Sequence, residues 1–235
     1  MHTLKIIFWI LAGIIIYTYV GYGIVLFFLI KIKRFFVKKK PIQLSSDNLP
    51  EITLLVAAYN EQDYVHKKVE NSRKLIYPKE KLHFMWVTDG SNDETPEILK
   101  QYTDVEVLHK PERSGKIMAM NHALKFVKKP IVVFSDANTM LGEESIMKIA
   151  QMFANPKVGC VSGEKRIFNA EEEAASAAGE GLYWKYESAL KRWDAELYSA
   201  VGAAGELFAI RTELFNEVEP DTLLDDFIIS LRVAM

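Results

Sequence analysis

The sequence predicts an α/β fold, a mostly parallel sheet with flanking helices, preceded by an N-terminal transmembrane helix. Three observations predict it. An apolar run, "LKIIFWILAGIIIYTYVGYGIVLFFLI" at 4–30, carries Lys5 as its only charge. Beyond residue 50, short apolar runs alternate with amphipathic segments, the pattern of successive βαβ units. Three of those runs close on polar clusters, "AAYNE", "TDGSND" and "SDAN", at the strand ends where ligands of such sheets bind.

The elements follow in order. A helix needs about 20 apolar residues to cross a bilayer, and 4–30 supplies them. The run is longer than the roughly 7 to 15 residues of a signal-peptide core, and no small-residue cleavage site follows it, so it reads as a retained single-pass anchor. "KIKRFFVKKK" then places Lys31, Lys33, Arg34, Lys38, Lys39 and Lys40 on one side, against Lys5 on the other. That asymmetry puts the remainder in the cytoplasm and the chain at the inner (cytoplasmic) membrane. The same basic run also suits a solvated linker or contact with anionic membrane lipid. The expected organisation is an anchor at 1–30, a basic juxtamembrane linker at 31–50 and a folded domain at 51–235. Strands are expected at 52–58, 82–89, 105–110 and 130–137, and helices at 62–75, 95–101 and 117–127. "EEEAASAAGEG" at 171–181 has the composition of a mobile surface segment.

The 235 residues suffice for one sizeable domain plus an appendage. A net charge of −2 carries no overall basic signal, so nucleic acid is not an expected partner. The single cysteine, Cys160, excludes an internal disulfide or a thiolate zinc cluster, which fits a reducing compartment.

The strand-end clusters carry the chemistry. Asp89, Asp93, Asp136 and Asn138 fall on one rim of the expected sheet, where several carboxylates need a cation to offset their repulsion. All are hard oxygen donors, suited to Mg2+ or Mn2+ rather than zinc. The common partner of such a site is a substrate diphosphate, which Lys116, at the start of the following helix, would help to neutralise. Each cluster has a plainer reading. "TDGSND" is also a good turn and helix-cap sequence. "SGK" lacks the frame of a P-loop, and no G-x-G-x-x-G follows the first strand. His66, His83, His109 and His122 show no metal-ligand spacing and read as solvated or packed side chains. Tyr183, Tyr186, Leu190 and Trp193 recur at helical spacing, which is a core pattern; Trp184 lies off that stripe, where it could stack on a sugar ring.

Taken in order, "VAAYNE", "VTDGSNDET", "RSGKIMAMNHAL", "VVFSDANT", "GAAGELFAIR" and "LLDDFIISLRV" resemble the family 2 glycosyltransferases, particularly membrane-bound bacterial enzymes of the polysaccharide synthase type. The resemblance covers residues 50–235. It implies a GT-A fold, with a Rossmann-like nucleotide-sugar domain joined continuously to an acceptor region. It also implies transfer, with inversion, of a sugar from a nucleoside diphosphate sugar, preferably a UDP-sugar, to a glycan or lipid-linked acceptor.

Carried over by position, the resemblance sets Ala57, Tyr59 and Glu61 around the nucleotide and Asp89 on the base or ribose. Lys116 falls near the donor, and Asp136 and Asn138 on the metal and diphosphate; Asn138 departs from the usual second aspartate and removes one negative charge. Asp225 and Asp226 match the acceptor-side carboxylate pair, with Asp226 as general base and Asp225 where glutamate is usual. From the residues alone the two aspartates read first as the N-terminal acids of a helix, and the resemblance turns the reading toward the base. The same resemblance sets Gly205 and Glu206, in a loop at 202–211, beside donor and acceptor. A later Q-x-x-R-W motif and further membrane helices, usual in polymer-extending members, are not found, so the chain is expected to be a fragment or to work differently, and a further synthase subunit is among the partners considered. Two other readings stand beside this one: a catalytically silent, membrane-tethered nucleotide-sugar-binding module, and, with less to favour it, a sugar nucleotidyltransferase.

Overall fold

A computed structural model describes residues 2–37, 48–164, 175–200 and 202–235. The described residues fall into two compact units. One lies within 1–41 and 166–201, the other within 42–165 and 202–235.

The first unit is helical. Helix α1 (His2–Ile16) passes through a π-helical turn, Tyr17–Gly21, into α2 (Tyr22–Phe36) without a break. The 35 residues of this continuous helix span about 52 Å, more than the roughly 30 Å hydrocarbon core of a bilayer. By length and composition it is the one candidate membrane span among the described residues, and its large side chains from Leu4 to Val20 are exposed. Helix α7 (Ala175–Leu197) belongs to the same unit. Its Trp193 ring meets Phe27 edge-on, and its Tyr186 hydroxyl donates to the Tyr19 carbonyl. At the shared end, Lys33 donates to the Glu196 and Leu197 carbonyls, capping α7, while Arg34 forks onto the Glu196 carboxylate.

Two expectations change here. The helix continues through Phe36, so Lys31, Lys33 and Arg34 are helical rather than part of a linker. Lysine and arginine are good helix formers, and the last two find partners on α7. Residues 38–47 of the expected linker lie outside the described residues. So do 171–174 of the biased segment, whose remainder opens α7 as helix rather than as a loose surface stretch.

The second unit holds the sheet. Strands β1 (Ile52–Ala58), β2 (Leu82–Asp89), β3 (Val105–Lys110) and β4 (Ile131–Asp136) stand where the apolar runs place them. Helices α3 (Gln62–Arg73), α4 (Thr95–Leu99) and α5 (Lys116–Leu124) connect them. After β4 come α6 (Ser145–Phe153), β5 (Cys160–Ser162), β6 (Leu207–Arg211) and α8 (Asp225–Ala234). The order across the sheet is β3-β2-β1-β4-β6-β5. The pairs β1–β2, β2–β3 and β1–β4 are parallel; β4–β6 and β5–β6 are antiparallel.

Side chains alternate between the two faces, as a strand requires. Ile52, Leu54 and Val56 pack with Val65 and Val69 of α3, Leu99 of α4 and Ile146, Ile149 and Phe153 of α6. Leu55, Met85, Val132 and Phe208 pack with Ile117, Met120 and Ala123 of α5 and Ile229 of α8. The mostly parallel sheet with helices on both faces is therefore as expected. Strand β6 corrects one detail: the segment expected as a loop at 202–211 is a turn only up to Glu206, and "LFAIR" is a strand with a buried centre.

Candidate active site

From β1 the chain moves outward to β2 and β3, then returns to place β4 on the other side of β1. A crevice opens beyond the carboxyl ends of the strands where the order reverses in this way. Ala57 pairs with both Val87 and Asp136 in register, so the β1, β2 and β4 tips lie level. The segments following them carry the polar clusters.

Asp89 ends β2 and is 4% exposed. Its Oδ2 accepts hydrogen bonds from the Ser114 and Gly115 amides at 2.8 and 2.6 Å, fixing the turn that launches α5. Its Oδ1 is buried with no hydrogen-bond partner. A buried carboxylate oxygen left unpaired is costly, and a ligand donor would relieve that cost. Beside it, Gly90 has a φ of 68°, and a Cβ there would lie 2.6 Å from the Arg113 amide nitrogen. Both the backbone conformation and the contact demand glycine. Arg113 in turn lies over the Tyr59 ring, 4.0 Å from its centroid. Gly90→Ala is therefore expected to cost about 1–3 kcal/mol of stability through backbone strain alone, and, by displacing the 113–115 turn, to weaken binding of the nucleotide that the sequence leads one to expect there. Denaturant unfolding together with calorimetric titration checks both effects.

Lys116, the first residue of α5, is the centre of the charged group. Its ammonium sits 2.7 Å from Asp136 Oδ1. Burial opposes the charge, but Asp136, Asp225 and Asp226 outweigh it and hold the Lys116 pKa above its ordinary value. Asp225 and Asp226 open α8, and a Cβ at Gly205 would come within 3.0 Å of Asp226 Oδ2. Glu61, half-buried after β1, has its carboxyl pushed up by burial and by the negative charges of Asp136 and Asp93. The structure thus brings Glu61, Asp89, Lys116, Asp136, Asp225 and Asp226 to one side of the sheet. Asn138 is exposed in the turn after β4, two residues beyond Asp136. The Glu206 carbonyl accepts from the Ser135 hydroxyl at 3.2 Å.

One expected rim residue serves elsewhere. Asp93 does not present a free carboxylate to the rim: its oxygens accept from the Gln62 and Thr95 amides, so it ties the α3 start to the α4 start. Burial opposes its charge, and the Thr95 and Gln62 hydrogen bonds hold its pKa down all the same. Trp184 lies on α7, in the other unit. The histidines are engaged singly: His66 with the Tyr102 hydroxyl, His83 with Glu106, His109 with Thr88, and His122 edge-on to Phe126. Burial pushes the Cys160 thiol up to about 12, which leaves it unreactive.

Sequence reasoning missed Lys68 and Arg113. Lys68 was legible in principle, because it shares the buried stripe of Val65, Val69 and Ser72 on α3, where a lysine is out of place. Arg113 lies within a quoted motif, but nothing in its spacing points to Tyr59.

Among the described residues no group of three or more His, Cys, Asp or Glu side chains is arranged to hold a metal ion by itself. Asp136, with Asn138 two residues on, supplies oxygens of the hard type that ions such as magnesium accept. Such ions are held through one or two carboxylates together with substrate phosphates and water, not in all-protein cages.

Comparison with known proteins gives the family. A family model described as "Glycosyl transferase family 2" matches residues 53–219, and the chain belongs to that family. It is 29% identical over 208 residues to the beta-monoglucosyldiacylglycerol synthase of Trichormus variabilis, covering 80% of this chain and 42% of that protein. It is 31% identical over 151 residues to the poly-beta-1,6-N-acetyl-D-glucosamine synthase of Staphylococcus aureus, covering 63% and 36%. The chain thus spans about two fifths of the length of these curated relatives. Among solved structures, the mannosyltransferase PcManGT from Pyrobaculum calidifontis, in complex with GDP-Man and Mn2+, superposes with a TM-score of 0.74 at 25% identity, covering 94% of this chain and 62% of that one. The GT-A expectation holds for the fold.

Proposed function

We propose that the chain carries the transferase centre of an inverting glycosyltransferase that moves a sugar from a nucleoside diphosphate sugar to a glycan or lipid-linked acceptor. The observation that carries this is the Lys116 ammonium, paired with Asp136 and within the field of Asp225 and Asp226. It is one fixed positive charge between a donor-side and an acceptor-side carboxylate. Ala57, Tyr59 and Glu61 border the nucleotide, and the unpaired Asp89 Oδ1 accepts a hydrogen bond from the base or ribose. Asp136 and Asn138 would hold a divalent ion, which would supply positive charge to offset the donor diphosphate. Mg2+ and Mn2+ both suit these oxygens, and the similarity to a mannosyltransferase in complex with Mn2+ favours the latter.

In the reaction, Asp226 takes the proton of the acceptor hydroxyl, whose oxygen attacks the anomeric carbon from the face opposite the diphosphate. The bond from that carbon to the diphosphate oxygen breaks, and its electron pair leaves with the nucleoside diphosphate. Lys116, at the amide-rich start of α5, stabilises the charge that develops there. Asp225, beside Asp226 on the first turn of α8, adds negative potential on the acceptor side. Gly205 and Glu206 border the acceptor.

The chain is read as anchored in the cytoplasmic membrane by its first helix, with this centre on the cytoplasmic side. The full chain is therefore expected to stay with membranes through alkaline carbonate washing and to enter solution only with detergent. Quantitative release by carbonate removes the anchor.

Turnover is tested with UDP-glucose, UDP-N-acetylglucosamine and GDP-mannose, each with Mg2+ or Mn2+, with and without glycolipid and glycan acceptors. A UDP-sugar is expected to give acceptor-dependent, metal-dependent release of UDP. Asn138, in place of a second acid, favours one other reading: a silent module that binds the donor and transfers nothing. Tight nucleotide binding without release from any donor decides for it.

A further inference from the structure

Among the described residues of the sheet unit, Lys68 is the most deeply buried charged side chain. Its residue exposure is 0%, and it occupies a core-facing position on α3 between Val65 and Ser72. A methionine of similar length would fill that place without desolvating a charge, so packing does not account for an ammonium there. Its hydrogen bonds do. The ammonium donates to Ser135 Oγ at 2.7 Å and to the Thr139 carbonyl. Ser135 immediately precedes Asp136, and Thr139 immediately follows Asn138, so one buried group clamps both ends of the turn that carries the donor-side oxygens. The Ser135 hydroxyl in turn donates to the Glu206 carbonyl at 3.2 Å, shorter than its alternative contact with the Asp136 carbonyl at 3.4 Å. Glu206 adjoins Gly205, the residue against which the Asp226 carboxylate lies.

We infer that Lys68 is a positioning residue: from beneath the sheet rim, its ammonium, relayed through Ser135, holds the 136–139 turn and the 204–206 turn at a fixed separation, and so sets the geometry between donor diphosphate and acceptor. The inference rests on the proposed transfer reaction. Burial lowers the Lys68 pKa to about 7, against the opposing pull of Asp136; charged or neutral, the amine keeps the two hydrogens that its contacts with Ser135 and Thr139 use.

The test uses the full chain in detergent, with wild type, Lys68→Met, Ser135→Ala and the double variant. Affinity for UDP and for GDP in the presence of Mn2+ is measured by calorimetry, the Mn2+ midpoint is recorded, and kcat is measured wherever the wild type turns over. Lys68→Met and Ser135→Ala are each expected to weaken nucleotide affinity and raise the Mn2+ midpoint by about tenfold. The double variant should be no worse than Lys68→Met alone, because contacting residues of one network are not additive. A merely structural role would lower the melting temperature and the folded fraction while leaving the affinity and midpoint of the folded protein unchanged. That result, or effects that multiply in the double variant, overturns the inference. If Lys68→Met does not fold, Ser135→Ala alone decides, since it removes only the relay hydroxyl. Turnover and binding fail separately. A wild type that binds nucleotide but transfers no sugar ends the transferase reading and leaves the clamp measurable by affinity; a wild type that binds neither nucleotide ends both.

Discussion

Asp226→Asn is expected to reduce sugar transfer by about 10²- to 10⁴-fold, the contribution of a positioned general base, while leaving nucleotide affinity close to wild type. The substitution keeps the size of the side chain and removes its ability to take a proton. Lys116 still retains Asp136 at 2.7 Å, so the donor side is preserved. Asp225→Asn is the control on the same helical turn: it removes one negative charge near Lys116 without removing the base, and its effect should be much smaller. Both variants are to be compared at saturating donor and acceptor, with calorimetry in parallel. Unchanged turnover in Asp226→Asn takes the residue out of the mechanism. Equal losses in the two variants reduce the pair to helix-capping acids whose charge matters but whose position does not.

Lys116→Met should lower kcat by about 10²- to 10³-fold, the usual loss when a preorganised group facing developing charge is removed. It should also leave Asp136, Asp225 and Asp226 without the cation they share. The expected signature is a fall in kcat at saturating donor and acceptor. Lys116→Arg should restore the charge but not the rate, because a planar guanidinium does not reproduce a point charge on the same stem. A Lys116→Met protein with near-normal kcat would mean that the diphosphate leaves without help from this side chain, and the proposed arrangement of the centre would fall with it.

Much of the scaffold was legible in the sequence. The runs at 52–58, 82–89 and 105–110 became strands with those bounds, because each is an apolar stretch stopped by turn-forming residues, and such a stretch has few other ways to bury itself. The helices were legible in place but not at their ends: the expected 62–75 is Gln62–Arg73, and the expected 95–101 is Thr95–Leu99, since helix termini are set by tertiary contacts as much as by composition. Strands β5 and β6 were not legible. One is three residues long, and the other follows a glycine-containing turn whose small residues disguise it.

For the site, the sequence by itself determined which oxygen-bearing side chains follow the strands, because strand ends and their polar clusters are local features of the chain. It could not determine which of those oxygens remain available. Asp89 and Asp93 belong to one short cluster and look alike, yet Asp93 spends both oxygens on backbone amides while Asp89 keeps one unpaired. Nor could it show that Asp226 lies against Gly205, or that Lys68 joins the 136–139 turn to Glu206 through Ser135. Those relations connect residues far apart in the chain, and they exist only once the sheet order brings β4 beside β6. The apolar pattern of a strand says that it must be covered, but not by what, and the charges that meet at its end are decided by that cover.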